Sequence, residues 1–394
     1  MDTRKPKVTY LMVAGALSLA AWAASAMPRT TPKVIPTTDP DPPKVEPKVE
    51  PVVQIPKAPP KVEIVFALDT TGSMQSMIDG AKRKIWSIAM LAASAQPKPE
   101  LRIGLVAYRD IGDEYVTRFY DLSDDMDAVF ERLSSFRADG GGDTPEHVAR
   151  ALSDAVNRTS WTNGQNAVKM VYLVGDAPPH FDYHDGHDIN TIARRAKDLG
   201  IHINTIRCGT DYETASAWKR IASLSVGEYA SIDQSGGVKT VATPFDDKLA
   251  ELNSRLSSTA IGYGRYAGAV RAKAASASAM SKSEAADRAS YFGLSGGAVG
   301  GDGDLVNDVA AGKIDVTATP AASLPTEMQA LAPEARRDYV EKKKAEREAV
   351  QKEINALAAQ RNDFLKKAPK KADALDTKIE ETIKRQGAEA GLAF

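Results

Sequence analysis

Three short stretches of this sequence carry side chains whose types could do chemistry. Asp69-Thr70-Thr71-Gly72-Ser73 offers one carboxylate and three hydroxyls within five residues. Gly140, Gly141 and Gly142 lead into Asp143-Thr144-Pro145-Glu146, and Asp176 follows an apolar run. These are oxygen-bearing groups, the donor type that hard cations take. A fourth stretch differs in kind. His180, His184 and His187 fall within eight residues, interleaved with Asp182, Asp185 and Asp188. Imidazole suits Zn or Cu, so this loop is a candidate second metal site. The plain alternative is a polar rim loop that caps the helix after it.

The elements that must position these residues are legible in the surrounding pattern. Val62–Leu68 is a short apolar run with β-branched residues, as a buried parallel strand requires. It ends at Asp69, and a helical pattern runs from Ser73 to about Ala95. Leu101–Arg109 reads as a second strand, with Tyr115–Leu122 as its hairpin partner. Asp124–Phe136 and Pro145–Asn157 read as helices. Val168–Gly175 is another apolar strand, closed by Asp176. Asn190–Leu199 is a helix stopped by Gly200. Ile201–Cys208 and Gly227–Ile232 are strands, and Glu213–Leu224 and Ala242–Ser257 are helices. Alternating strands and helices predict an α/β fold, a doubly wound and mostly parallel sheet. Ligands of such sheets sit at the carboxyl ends of strands, at the topological switch point. The oxygen-bearing stretches fall at those ends.

Over residues 61–260 this sequence resembles the von Willebrand factor type A family. The metal-ion-dependent adhesion site of that family uses Asp-x-Ser/Thr-x-Ser, then a distant Thr, then a distant Asp. Asp69, Thr71, Ser73, Thr144 and Asp176 fill those positions in the right order. Thr71 stands where Ser is commoner and keeps the hydroxyl. The resemblance implies Mg²⁺ or Mn²⁺ held by these five residues. Mg²⁺ wants six oxygens and gives up water reluctantly. Hydroxyls are neutral ligands and leave the ion electron-poor, so it can accept a carboxylate oxygen from a protein partner. No general acid or nucleophile is required, and the implied protein is not an enzyme. Asp-Ala-Pro-Pro-His at 176–180 is similar to the matching loop of some intracellular type A domains, including the alpha-kinase-linked group.

Other readings of the same residues compete. Thr144 before Pro145 is a good helix N-cap, and Ser73 could cap the first helix. A haloacid-dehalogenase phosphatase needs a second Asp where Thr71 stands. An aspartic protease needs Asp-Thr-Gly twice, and this chain has no such pair. A metal-assisted hydrolase would use the 180–188 loop, with His180 as its base.

Composition narrows the class of function. The 394 residues hold 51 basic and 52 acidic side chains, for a formal charge of −1, which excludes nucleic-acid binding by bulk electrostatics. The one cysteine, Cys208, excludes disulfide frameworks and Cys-rich zinc sites, and it ends a strand read as core. Residues 1–26 read as a signal peptide or anchor. Arg4, Lys5 and Lys7 precede an uncharged run, Val8–Ala23, and Ala24-Ser25-Ala26 is a cleavage site. Retained, residues 8–23 would give inner-membrane association. The chain beyond them is expected in the periplasm or cell envelope. Residues 27–60 are proline-rich and repeat Pro-Lys-Val-Glu, as an extended linker would.

Residues 261–330 are Ala/Gly-rich and expected to be irregular, with a flexible loop at 296–304 and one short strand at 313–319. Residues 331–394 read as a helical, partly coiled-coil tail, and the helix pattern begins at Thr326. Val350, Ile354, Leu357 and Phe364 give a heptad seam, interrupted by Arg347 and Arg361. Two outcomes follow from that seam. It packs within the chain, or it drives self-association and makes the protein a scaffold.

Overall fold

The structure is a computed structural model that describes residues 59–142, 144–164, 166–237, 241–367 and 374–394. The export segment and most of the proline-rich stretch lie outside the described residues. No helix among those residues is long and apolar enough to cross a membrane.

Six strands form one sheet in the order β3-β2-β1-β4-β5-β6. They are β1 (Lys61–Asp69), β2 (Glu100–Tyr108), β3 (Thr117–Ser123), β4 (Ala167–Gly175), β5 (Ile201–Cys208) and β6 (Tyr229–Ile232). All neighbours are parallel except β2 and β3. The chain leaves β1 first on one side and then on the other, so the switch point lies between β1 and β4. Their carboxyl ends carry Asp69 and Asp176.

The strands are apolar on both faces because helices cover both. Along β1, Ile64, Phe66 and Leu68 join one core cluster, while Val65 and Ala67 join the other. The second cluster is covered by α3 (Val148–Ser153), α4 (Ile189–Asp198) and α5 (Tyr212–Leu224), through residues such as Leu152, Ile192 and Trp218. The first cluster takes α1 (Gln75–Ser94), α2 (Met126–Ser135) and α6 (Asp246–Ser257), together with helices from far downstream.

Those downstream helices correct the expectation of an irregular 261–330 segment. It folds into α7 (Ala267–Ala279), α8 (Lys282–Ser295) and α9 (Leu305–Ala310). Small residues allow this. Ala285, Ala286 and Ala289 let α8 approach α1 and α6 closely, and Tyr291 and Phe292 at its end pack their rings against Trp86 of α1. The glycine loop at 296–304 is pinned, with Ala298 and Val299 buried and Gly300 N–H donating to Asp127 Oδ2 at 3.0 Å. No strand forms at 313–319. The helix expected from Thr326 is broken into α10 (Thr326–Gln329) and α11 (Pro333–Lys367).

The heptad seam of α11 is spent inside the chain. Val350 and Ile354 are buried in the first core cluster, whereas Phe364 is exposed. The two arginines that interrupt the seam meet buried acids. Arg347 pairs with Asp304 at 2.8 Å, and Arg361 pairs with Asp246 at 2.7 Å and Asp287 at 2.6 Å. The last helix, α12 (Leu375–Glu389), lies on the sheet, burying Leu375, Ile379 and Ile383. Residues 57–394 therefore make one compact unit.

Candidate metal centre

Asp69 ends β1 at the switch point and is fully buried. Its Oδ1 accepts the Thr71 backbone N–H at 2.9 Å and the Thr71 hydroxyl at 2.6 Å. Its Oδ2 is buried and has no hydrogen-bond partner. Burial pushes the Asp69 carboxyl up to about 7, the Thr71 hydroxyl opposes this, and the nearby Asp176 charge adds to it. A buried carboxylate with a free oxygen is costly unless a positive charge or donor answers it. The floor of the site is tight. A Cβ at Gly175 would lie 2.3 Å from Tyr108 Oη and 3.2 Å from Asp69 Oδ2, so glycine is needed there.

Of the five residues that the resemblance singled out, three face one another. Asp69 and Thr71 are hydrogen-bonded. Asp176, at the end of β4, is close enough to act on Asp69, and its Oδ2 accepts from Gln234 Nε2. Ser73 is exposed, on the short 3-10 turn Gly72–Met74 that precedes α1. Thr144 is also exposed. Neither caps a helix. The N-cap of α3 is His147, whose Nδ1 accepts from Arg150 N–H. Thr70 belongs to the scaffold, because its hydroxyl donates to Tyr108 O at 3.0 Å and meets Tyr115 Oη at 2.7 Å.

The glycine-rich loop reaches over this centre. Gly72 N–H donates to Gly140 O at 3.3 Å, and Asp139 N–H donates to Thr70 O at 3.1 Å. Gly140 and Gly141 both have φ of 75°, a region that favours glycine. A Cβ on Gly141 would meet Thr71 Cβ at 3.0 Å.

Two functional candidates were not singled out by the sequence. Glu146 is 2% exposed, and its Oε2 has no partner. Burial and the charges of Asp69, Asp110, Asp113 and Asp176 push its carboxyl up to about 9. Asp110, after β2, is 4% exposed with Oδ1 unpartnered. The available signal was a carboxylate at the end of β2 and another two residues beyond Thr144. Neither position shows in sequence that it turns inward.

The histidines do not converge. His180 Nδ1 lies 2.8 Å from Asp182 Oδ1, its Nε2 lies 3.3 Å from Asp110 Oδ2, and its ring stacks on Tyr183 at 4.0 Å. His184 is exposed. His147, one strand away, pairs with Asp185 at 2.8 Å, and Tyr183 donates to Asp110 Oδ2 at 2.7 Å. Asp188 caps α4 by accepting from Thr191 N–H. The loop is thus fastened by His–Asp and Tyr–Asp contacts, which is the rim reading. Among the described residues no group of three His, Cys, Asp or Glu side chains could hold a metal alone. Hydroxyls and water must complete any shell here. The oxygen donors at Asp69, Thr71 and Asp176, with the orphaned Asp69 Oδ2, fit a hard divalent cation.

Residues 63–244 match the family model of the von Willebrand factor A domain. A putative ariadne-like RING finger protein of Acanthamoeba polyphaga mimivirus is 26% identical over 141 residues, which cover 35% of this chain and 13% of the viral protein. Among solved structures, the VWA domain of SpRpn10 is 13% identical, with a TM-score of 0.34, over 44% of this chain and 89% of that one. Proximal thread matrix protein 1 from the mussel byssus, in a form described with a zinc-occupied MIDAS motif, is 15% identical with a TM-score of 0.34. That match covers 44% of this chain and 42% of the mussel protein.

Proposed function

We propose that the von Willebrand factor A domain over residues 63–244 is a metal-dependent protein-binding module of the cell envelope. The observation that carries the reading is Asp69. Its carboxyl is buried at the switch point with one oxygen unpartnered, next to Thr71 and a second carboxylate, Asp176. A divalent cation, Mg²⁺ or Mn²⁺, resolves that arrangement. Asp69, Thr71, Ser73 and Asp176, with the 139–146 loop, hold it. When bound, the ion supplies a Lewis-acidic position open to an oxygen of a partner.

The chain's own residues orient that partner. Asp69 and Thr71 lock each other, Gln234 fixes the Asp176 carboxylate, and the 180–188 loop forms one wall. Three large apolar side chains stand exposed beyond strand ends, two on loops and one, Tyr212, at the first residue of α5. Ile111 follows β2, Phe181 follows β4, and Tyr212 follows β5, and they are 56%, 66% and 83% exposed. This rim suits a protein ligand whose Asp or Glu is flanked by apolar residues. The export-type N-terminus supports an extracytoplasmic place of work, with residues 27–60 as the spacer.

The test is capture of partners from an envelope extract by the full chain, with and without EDTA. Metal-dependent capture that is lost in Asp69→Ala, and weakened in Phe181→Ala, is the expected result. Capture indifferent to EDTA and to Asp69→Ala would refute the reading.

A further inference from the structure

We propose that β6 and the cleft beside it form a second docking site, which takes an extended segment of a partner protein with a basic and an acidic residue two places apart. The site does not depend on the metal-binding reading. It lies at the edge of the sheet, three strands from β1.

The edge is open. Thr205 N–H donates to Glu228 O at 2.7 Å, and Gly209 N–H donates to Ile232 O at 3.0 Å. Bonding alternates along a parallel ladder, so Ala230 turns its backbone toward β5. Tyr229 and Ser231 then turn theirs outward. No strand lies on that side, and among the described residues no hydrogen bond reaches those two backbones from it. Such an edge templates pairing with another chain unless charge or cover blunts it. The opposite edge is blunted. There β3 carries Arg118 and Asp121, and Asp121 Oδ1 accepts Ser160 N–H at 2.8 Å. By contrast β6 is Tyr-Ala-Ser-Ile, with no charged residue.

A cleft of about 570 Å³ runs between this edge and α12. Thr205, Ile206 and Ala230 line it from the sheet, and Lys378, Glu381 and Arg385 line it from the helix. Ala230 packs on the same side as Ile232, toward the first core cluster, and its small side chain leaves the space open. Leu375 N–H donates to Gly236 O at 3.0 Å beyond the end of β6, and Arg385 pairs with Glu228 just before its start. Helix α12 therefore runs alongside β6 in the opposite direction.

That geometry selects the ligand. Glu381 and Arg385 are separated by about 6 Å along the helix axis. Side chains on one face of a strand recur every two residues, about 6.8 Å apart. A strand added to β6 sets one side chain opposite Arg385 and the next on that face opposite Glu381. Charge then fixes their types, an acid for Arg385 and a base for Glu381. The side chains of Arg385 and Glu381 are 53% and 54% exposed, so their present partners, Glu228 and Lys378, exchange at little cost. Backbone bonds to Tyr229 and Ser231 supply affinity, and the cleft supplies choice.

Fluorescence polarisation of the full-length chain with labelled Val-Thr-Lys-Thr-Glu-Thr-Val, in EDTA, tests the site. The peptide should bind without metal, and N-methylation of its backbone should abolish binding. Glu381→Lys, a change at an exposed helix position, should weaken binding roughly fivefold, and a peptide with glutamate in place of its lysine should bind that variant better than wild type. No binding in EDTA, binding that tolerates backbone N-methylation, or equal affinity for wild type and Glu381→Lys would overturn the proposal. The metal-binding reading stands or falls separately, on Asp69→Ala.

Discussion

Asp69 sets the residue scale. Burial is the largest influence on its carboxyl, which sits at about 7 in the folded chain against an ordinary value of 3.8. A raised folded value means that the native state holds more protons than the unfolded state between about pH 4 and 7. The metal-free protein should therefore lose stability through this group as the pH climbs across that window. Asp69→Asn should flatten that slope, as measured by metal-free denaturant unfolding at pH 5.5 and 7.5. A slope unchanged by the substitution would exclude Asp69 as its source. Asp69, Thr71 and Asp176 were legible in sequence because strand ends are legible, and each follows an apolar run. Glu146 and Asp110 were not, because the direction of a loop side chain depends on a neighbour from a distant strand. For Glu146 that neighbour is the 178–180 segment. Motif spacing favoured the hydroxyl at Thr144, and the fold left it exposed.

Buried arginines organise the next scale, that of elements. Arg288 of α8 is fully buried. It donates to both Asp127 oxygens at 2.7 and 2.8 Å, to Asn253 Oδ1 at 2.8 Å, to Ser257 Oγ at 2.9 Å and to Ala298 O at 3.0 Å. One side chain thus joins α2, α6, α8 and the glycine loop at 296–304. Removing one partner of such a pair leaves a buried charge unanswered. Arg288→Ala should cost about 3–5 kcal/mol, measured by urea unfolding, and Asp127→Ala a similar amount. Additive losses in the double variant would show that the two do not act as a pair. The strands and the helices between them were readable from apolar runs. Helices α7 and α8 were not, because alanine and serine give little amphipathic contrast. The α11 seam was readable as a pattern, but its partner was not. Arg347 and Arg361 look like faults in a coiled coil, and in the fold each answers a buried acid of the same chain.

At the scale of the whole molecule, the C-terminal helices are part of the sheet's cover. Helix α12 buries Ile379 and Ile383 in the core that includes Phe66 and Leu68, and Tyr172 Oη donates to Ile379 O at 3.4 Å. Asn204 and Gln386 exchange two buried hydrogen bonds, at 3.0 and 2.8 Å. Ending the chain at residue 330 would remove α11 and α12 and bare this face. Such a truncation should show lower solubility and a lower melting temperature than residues 57–394. An equally stable, monomeric 57–330 protein would show that the sheet does not need its C-terminal cover.

The central claim is that this sheet end holds a divalent cation through Asp69. The most direct measurement is thermal unfolding of the full chain with and without Mn²⁺, for wild type and Asp69→Ala. A ligand that binds only the native state at a hundredfold excess over its Kd adds about 2.7 kcal/mol. Wild type should therefore melt a few degrees higher with Mn²⁺, and Asp69→Ala should not respond. An equal rise in both proteins, or none in wild type, would contradict it.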